Sequence, residues 1–288
     1  EPNDNIPELF QTYNNTTSLA KRDIFTPTYP NSAIVNVGLF DELQYNADGD
    51  KTLLQNRRDM AYAVQTQTQE EVVKLIRKAV EMTNKKDVVI SGGYGLNCVA
   101  NYHYLEALKD EGIEIYVEPV SNDAGTAMGA AMMFWYGLED ETEKRQTQTL
   151  YLGPDNNYTA DDVTSIATSQ EVEMKDATNK DVVELITSKN IVTLFQGKSE
   201  NGPRALGNRS VLYDPTDPNG KDHVNEVKHR EYFRPFAGSI LQDDVHEWFD
   251  LRGMEDSPHM MYAVNCQPGI EEKIPAIIHV DGTCRIQT

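Results

Sequence analysis

Cationic side chains gather in one short stretch of an otherwise acidic sequence. Residues 198–210, KSENGPRALGNRS, contain Lys198, Arg204 and Arg209, although the whole chain has 46 Asp and Glu against 26 Lys and Arg. Arginine forks match the paired oxygens of phosphate and carboxylate groups, and lysine supplies a point charge. Pro203 and the neighbouring glycines predict an irregular course rather than a helix. The stretch is therefore either a solvated turn or part of an anion site.

A second basic element follows in HREYFRPFAGS, residues 229–239. It contains Arg230 and Arg234 among aromatic residues, where a predicted strand meets a loop. Taken without the other basic elements, these two arginines need no role beyond a structural one. Taken with the first stretch, it raises the hypothesis of one anion pocket built from several basic elements.

The last residues, IIHVDGTCRIQT, are typical of a β-hairpin. Their Asp-Gly pair favours a two-residue turn. That register places Ile278 opposite Arg285 and His279 opposite Cys284. Arg285 is then a further candidate for the same anion pocket.

A glycine-rich turn is a different kind of candidate site. SGGYGLN, residues 91–97, follows a β-branched strand and precedes a helix. Gly92 and Gly93 allow a backbone to approach a phosphate closely, and the helix N-terminus offers free N–H donors. The pattern is neither the dinucleotide fingerprint nor a P-loop. A nucleotide site and an ordinary tight turn therefore both stay open.

A carboxylate stands before the next predicted helix, in VSNDAGTAMGAA (120–131). Asp123 can cap that helix, or it can serve as a metal or nucleotide ligand at the end of a strand. The glycines and alanines that follow predict a helix with a small face. Another backbone or a flat ligand can approach such a face closely.

The elements that must position these residues alternate between strand and helix. Apolar spacing predicts strands at 33–40, 87–93 and 113–120, and helices at 59–83, 96–112 and 123–137. A polar segment at 138–160 separates them from a helix at 182–189 and from strands at 191–197, 233–241, 260–265 and 276–280. This order indicates an α/β fold. We place the domain boundary in the polar segment, so that the domains are 1–145 and 146–288.

Composition narrows the class of protein. The 288 residues carry a formal net charge of −20, which argues against nucleic acid and anionic membranes as partners because the summed field repels polyanions. No run approaches the roughly 18 apolar residues of a membrane span. The 3 cysteines are far apart and form no CxxC pair. They predict neither a disulfide framework nor a zinc site and favour a reduced, cytoplasmic setting.

Five long motifs occur in an order that resembles one family of enzymes. They are SGGYGLNCVAN, SNDAGTAMGAA, GKSENGPRALGNRSVL, REYFRPFAGSIL and IPAIIHVDGTCRIQT. In this order they resemble the O-carbamoyltransferases of the nodulation-protein and antibiotic-biosynthesis type. Residues before the first motif resemble that family only loosely.

The resemblance implies an architecture and a reaction. It implies the C-terminal part of an actin-like ATPase (ribonuclease H-like) domain, followed by part of an α/β domain similar to threonylcarbamoyl-adenylate synthase. Carbamoyl phosphate and ATP would form carbamoyl-adenylate and pyrophosphate in the second domain. The carbamoyl group would then pass to a hydroxyl of a small molecule or nucleotide in the first domain. This transfer would take place at a bound divalent metal, for which iron is the first candidate and Mg²⁺ the second.

The resemblance also implies roles for single residues. Carbamoyl phosphate and the ATP phosphates would be bound by Arg204, Arg209, Arg230, Arg234, Arg285, Lys198 and His279. These residues would neutralise and position charge, because chemistry at phosphate groups needs fixed cations more than an acid or base. The nucleotide of the first domain would be lined by Gly92, Gly93, Asn97, Asn122 and Gly125, and the metal would be held by Asp123. Lys198 stands where the family often has arginine.

The chain also departs from the family pattern. It lacks the N-terminal histidine pair that supplies metal ligands in the family and a late Asn-Thr-Ser-Phe-Asn segment. We therefore expect an internal portion of the enzyme, with half of each site and without tight metal binding or turnover of its own. A threonylcarbamoyl-type tRNA modification enzyme and a non-catalytic nucleotide- or anion-binding module are the alternative functions. The sequence specifies neither the acceptor nor the oligomeric state, and it is compatible with a homodimer.

Overall fold

The structure, a computed structural model, describes residues 8–13, 17–20, 25–28, 32–35, 51–138, 149–155 and 157–288. The chain divides into two compact units. The first comprises Glu1–Val88 and His103–Ile115, and the second comprises Val89–Tyr102 and Tyr116–Thr288. Most of the polar segment in which we placed a domain boundary lies outside the described residues, and that boundary stays a prediction. No helix of the described ranges has both the length and the apolar character needed to cross a membrane.

Short hairpins and one long helix make up most of the described part of the first unit. Strands β1 (Phe10–Tyr13) and β2 (Thr17–Ala20) pair antiparallel, as do β3 (Phe25–Thr28) and β4 (Ser32–Val35). Helix α1 covers Lys51–Thr83, a stretch without glycine or proline. The helix predicted at 59–83 is thus confirmed and begins earlier. The strand predicted at 33–40 overlaps β4, and its remainder lies outside the described residues.

Helix α1 is held by the burial of one face. Met60 and Ala63 pack with Leu9 in one cluster, and Val73 and Ile76 are buried further along the helix. Burying a side chain such as valine or isoleucine stabilises a fold by about 1.5–3 kcal/mol. Met60 and Ile76, two of the residues whose spacing predicted the helix, therefore also anchor it, whereas Val64 of the same pattern is exposed.

A strand–helix–strand–helix order follows, as predicted. It consists of β5 (Asp87–Ile90), α2 (Cys98–Leu108), β6 (Glu114–Val117) and α3 (Asp123–Leu138). Strands β5 and β6 form a two-stranded sheet. The helical segment after α2 ends at Gly112, whose φ of 61° is left-handed and suits glycine.

Two capped helices and a hairpin come next in the second unit. Helices α4 (Ala160–Ser169) and α5 (Asn179–Thr187) both begin with a capping box, in which a threonine and an aspartate three residues later exchange hydrogen bonds. Strand β7 (Val192–Phe195) then pairs antiparallel with β8 (Arg209–Leu212), and α6 covers Gly220–Val227. Helices α4 and α6 and strand β8 were not predicted.

The last part of the chain forms a four-stranded sheet. Its strands are β9 (Ala237–Ser239), β10 (Phe249–Asp250), β11 (Ala263–Cys266) and β12 (Thr283–Gln287), with the short helix α7 (Val245–Trp248) before β10. The order across the sheet is β10-β11-β12-β9, and β12 runs parallel to β9. Cys284 and Ile286 of β12 are buried. Arg285 lies between them and is directed to the other face.

Candidate functional site

The basic stretch 198–210 connects β7 to β8 and is organised around Glu200. One carboxylate oxygen, Oε1, accepts hydrogen bonds from the backbone N–H groups of Leu206 (2.7 Å), Asn208 (2.7 Å) and Arg209 (3.2 Å). Burial raises the pKa of Glu200, but these donors and its own backbone N–H outweigh it, so the pKa lies below its usual range. The sequence analysis missed this residue, because an acid inside a basic stretch suggested no role.

Apolar packing and two further hydrogen bonds fix the same loop. Leu206 belongs to a buried cluster with Val120 and Met260. Its carbonyl accepts hydrogen bonds from the Tyr151 hydroxyl at 2.9 Å and from Gln287 Nε2 at 3.1 Å. The loop is therefore held from several directions, which is unlike a freely solvated turn.

Two of the predicted cations meet in the second unit. Arg204 Nη2 donates to the carbonyl of Leu96 at 3.3 Å and to Cys98 Sγ at 3.4 Å. Arg285 lies on β12, opposite Ala263 on one side and Ala237 on the other. Burial, followed by the charge of Arg204, lowers the pKa of Arg285, and Cys98 partly offsets this effect. Arg204, Arg285 and Cys98 thus form one cluster, which we call the arginine pair with its thiol.

The arginine pair is poorly compensated by the protein. Both side chains are half-buried, and both Nε atoms are buried without a hydrogen-bond partner among the described residues. Within the same ranges neither guanidinium forms an ion pair with a carboxylate. Two adjacent positive charges without a carboxylate partner repel each other. An oxyanion bound by both guanidiniums would relieve that repulsion.

The two other cations of the opening stretch are engaged locally. The Arg209 guanidinium stacks 3.7 Å from the Phe195 ring centroid and donates to the carbonyls of Gln196 (2.7 Å) and Gly197 (3.3 Å). Lys198 Nζ lies 3.3 Å from an oxygen of Asp155. The structure therefore engages Arg209 within its own hairpin and Lys198 with Asp155, and their role in binding carbamoyl phosphate or ATP stays a prediction.

The remaining predicted cations lie around residues 230–236. The Arg230 guanidinium is 5.4 Å from the ring centroid of Phe236. The backbone carbonyl oxygen of Phe236 lies 3.3 Å from His279 Nε2. Arg234 is exposed and forms an ion pair with Glu231 at 2.5 Å, which lowers the pKa of Glu231 to about 2. Arg230 and His279 thus share a neighbour, whereas Arg234 is occupied by a carboxylate. Their roles as ligands also stay predictions.

The predicted hairpin register at the end of the chain is wrong. Residues 275–277 form a 3-10 turn instead of a strand, and the His279 N–H donates to the Thr283 carbonyl at 2.8 Å. His279 therefore faces Thr283 rather than Cys284, and Arg285 pairs with neighbouring strands instead of Ile278. Burial lowers the pKa of His279. The turn explains the difference, because Asp281 Oδ1 accepts the Thr283 N–H at 3.0 Å and the turn comprises residues 280–282 instead of Asp281 and Gly282 alone.

The glycine-rich turn forms an open surface next to the start of α3. Gly92 has a φ of +96°, and a Cβ placed on Gly92 or Gly93 would meet no described atom within 4 Å. A Cβ on Gly95 would lie 3.0 Å from Ser121 Oγ, so the turn adjoins the residue before Asn122. Asn122 Oδ1 is buried without a partner among the described residues. The nucleotide roles of Gly92, Gly93 and Asn122 stay predictions.

Asn97 and Asp123 are less suited to direct ligand roles. Asn97 Oδ1 accepts the Ala100 N–H at 3.1 Å and thereby caps α2. Asp123 is exposed at the first residue of α3. Across the described ranges, no group of three His, Cys, Asp or Glu side chains could hold a metal ion. The metal role of Asp123 therefore stays a prediction, and we derive no step through a metal.

Gly125 is required for backbone packing at the start of α3. A Cβ there would lie 2.1 Å from the Val120 carbonyl oxygen, whereas a Cβ on Gly129 of the same helix would meet no described atom within 4 Å. Such overpacking costs about 1–3 kcal/mol. We expect Gly125→Ala to lower the urea midpoint of unfolding clearly. The matched variant Gly129→Ala should leave it unchanged or raise it, by up to about 1 kcal/mol of helix propensity. Equal midpoints for the two variants would contradict this packing.

A cavity of about 630 Å³ lies elsewhere in the second unit. Its wall is mainly apolar and includes Val224, Phe249 and Ile277, with Lys221 and Lys273 among the polar residues. No predicted site residue lines it, although Ala237, the strand partner of Arg285, does. The cavity and the arginine pair are therefore neighbouring but different features.

The fold and the cluster define an α/β protein with a partly buried pair of arginines suited to an oxyanion. Comparison with known families assigns residues 1–132 to the family described as Carbamoyltransferase N-terminus and residues 183–288 to Carbamoyltransferase C-terminus. The arginine pair lies in the second match and its thiol in the first. The chain belongs to the carbamoyltransferase family.

Similar curated proteins include several nodulation proteins. The chain is 34% identical over 241 residues to nodulation protein NolNO of Sinorhizobium fredii, which covers 81% of this chain and 35% of the relative. It is 35% identical over 240 residues to NolO of Bradyrhizobium diazoefficiens (81% and 43%). It is also 35% identical over 208 residues to nodulation protein U of Rhizobium tropici (70% and 33%). The matched part thus spans well under half the length of these relatives.

Proposed function

We propose that this chain is part of an ATP-dependent O-carbamoyltransferase, in which the arginine pair binds a phosphate group of carbamoyl phosphate or ATP. The observation that carries the proposal is the pair itself, since Arg204 and Arg285 meet without a carboxylate partner among the described residues. Family membership supports carbamoyl transfer as the chemistry. We further propose that the chain includes part of an actin-like ATPase domain and part of a domain similar to threonylcarbamoyl-adenylate synthase.

The reaction that we propose needs fixed positive charge. Carbamoyl phosphate, ATP and water would yield carbamoyl-adenylate, pyrophosphate and inorganic phosphate. Every participant except water carries a negatively charged phosphate group. Guanidiniums that are already in place stabilise charge that develops on phosphate oxygens without reorganising during the reaction. The Leu96 carbonyl and the Cys98 thiol orient Arg204 for that task.

The open turn at Gly92 and Gly93 is the part that we propose to accommodate the nucleotide. Asn122, with its unsatisfied amide oxygen, would supply a polar contact there. The carbamoyl group would then pass from carbamoyl-adenylate to a hydroxyl of a small molecule or nucleotide. The net charge of −20 favours such an acceptor over tRNA, because a polyanion is repelled.

Pyrophosphate exchange into ATP tests this proposal in the intact enzyme that contains the chain. We expect exchange that depends on carbamoyl phosphate. Exchange that depends instead on threonine and bicarbonate would overturn the proposal in favour of a threonylcarbamoyl-type enzyme. Binding of ATP and carbamoyl phosphate by calorimetry without any product by mass spectrometry would support a non-catalytic module.

A further inference from the structure

The thiol of Cys98 lies where both cations of the arginine pair can contact it. Sγ accepts a hydrogen bond from Arg204 Nη2 at 3.4 Å, and the same thiol interacts with the guanidinium of Arg285. Sγ also lies 3.3 Å from the Met260 carbonyl oxygen and 3.5 Å from that of Leu96, either of which can accept its proton. The thiol therefore links the glycine-rich turn, residue 260 and both arginines.

The surroundings of this thiol are themselves rigid. Asn101 is fully buried, and its Nδ2 donates to the carbonyls of Gly95 and Met261, both at 2.8 Å. The backbone on both sides of Cys98 is thus fixed to the segment that enters β11. A long side chain such as arginine loses much of its rotamer freedom when it is held against a rigid acceptor.

We infer that Cys98 is a positioning residue of the anion site, an assignment that rests on the proposed function. It holds the Arg204 guanidinium beside that of Arg285, so that both can bind the same oxyanion. It also follows that the sulfur and the bound anion compete for space. A group attached to Sγ would displace the fork, and a bound anion would shield Sγ.

The other two cysteines provide internal controls. Burial raises the pKa of Cys266 to about 11 and that of Cys284 to about 12. At pH 8 both thiols are almost entirely protonated, and the thiolate is the reactive form. Neither is hydrogen bonded to Arg204. Cys98 should therefore be the principal site of alkylation in the folded chain.

Alkylation by iodoacetamide, mapped by mass spectrometry, is the first test. The Cys98 thiolate displaces iodide and forms a bond from sulfur to the CH₂ carbon, and the thiol proton passes to the buffer. We expect pyrophosphate at roughly ten times its Kd to slow this reaction about 10-fold, because few molecules then have an empty site. Sodium chloride of equal ionic strength should not slow it. Equal rates with pyrophosphate and chloride, measured where calorimetry shows pyrophosphate bound, would overturn the inference.

Substitutions separate positioning from simple packing. We expect Cys98→Ala to weaken pyrophosphate binding about 10-fold by calorimetry, which corresponds to one hydrogen bond to a charged group. Cys98→Ser should restore binding to within about 3-fold, since a hydroxyl also accepts from arginine. Cys266→Ser is the matched control and should bind as the unaltered chain does. Wild-type affinity in Cys98→Ala, or a folded Cys98→Ser as weak as Cys98→Ala, would contradict the assignment.

A further measurement distinguishes failure of this inference from failure of the proposed function. If the unaltered chain binds neither pyrophosphate nor carbamoyl phosphate, the proposed function fails. The contact of the thiol with Arg204 is then judged without ligand, from the alkylation rate of Cys98 in Arg204→Gln. We expect the rate to change at least about 3-fold, because the guanidinium that donates to Sγ at 3.4 Å is then missing. An unchanged rate in this folded variant would show that the thiol and guanidinium do not interact.

Discussion

Replacing Arg204 with alanine in the intact enzyme is expected to abolish formation of carbamoyl-adenylate while the fold persists. The side chain donates to Leu96 and Cys98 and lies beside Arg285, so its loss removes one of two guanidiniums from the cluster. A hydrogen bond to a charged group is worth about 1.5–3 kcal/mol, or a factor of about 10–150 in binding. Exchange of pyrophosphate into ATP and calorimetric binding of carbamoyl phosphate are the measurements.

Two further variants make the Arg204 test specific. Arg204→Lys keeps the positive charge and loses the planar fork of the guanidinium. We therefore expect its affinity for carbamoyl phosphate to lie between those of the unaltered enzyme and Arg204→Ala. Arg58→Ala removes an exposed arginine of α1 in the first unit and controls for the change in net charge. Unchanged adenylate formation in Arg204→Ala would return the 198–210 stretch to the status of a structural turn.

Replacing Glu200 with alanine is expected to loosen the loop that carries Arg204. Three backbone N–H groups lose their shared acceptor, and leaving donors unsatisfied in this partly buried place should cost about 2–4 kcal/mol. Hydrogen exchange at the amides of Leu206, Asn208 and Arg209 should accelerate well beyond that of β12. Glu184→Ala, at an exposed position of α5, is the control. Unchanged protection at those three amides would contradict the role of Glu200.

The same carboxylate predicts a dependence of stability on pH. Because the pKa of Glu200 is lower in the folded chain than in the unfolded chain, its contribution is fully present above the unfolded pKa. It is lost as the pH falls through the folded pKa. The difference in the free energy of unfolding between the unaltered chain and Glu200→Gln should therefore shrink as the solution is acidified below about pH 4.3. A difference that stays constant down to pH 2 would refute this linkage.

Helices and strands with a clear apolar period could be predicted from the sequence. The spacing of Met60, Val64, Val72 and Ile76 predicted α1. Met60 and Ile76 are buried in the structure, whereas Val64 is exposed. Strand β8 was not predicted, because Gly207 and Asn208 make its start resemble a loop. Its pairing is decided by β7, which lies before the loop in the chain. A strand with weak local preference forms when a partner supplies its hydrogen bonds.

The candidate site was predictable as a set of residue types and not as an arrangement. Lys198, Arg209 and Arg234 were as good candidates as Arg204 by composition, yet the structure engages them with Asp155, Phe195 and Glu231. Glu200 and Cys98 carried no recognisable signal, since their importance comes from three amide groups and two guanidiniums that neighbouring segments bring to them.

The sequence by itself therefore determined the α/β order of elements, the family to which the motifs belong, and the presence of excess cations in an acidic chain. These properties are local or additive, since periodicity, motif order and charge are read residue by residue. Only the tertiary structure decided which cations share a site. Arg204 lies in the loop between β7 and β8, and Arg285 lies on a strand near the end of the chain. They meet because packing of Leu206 and pairing of β12 bring those segments together. Contacts between distant segments depend on the whole fold, which no single stretch encodes.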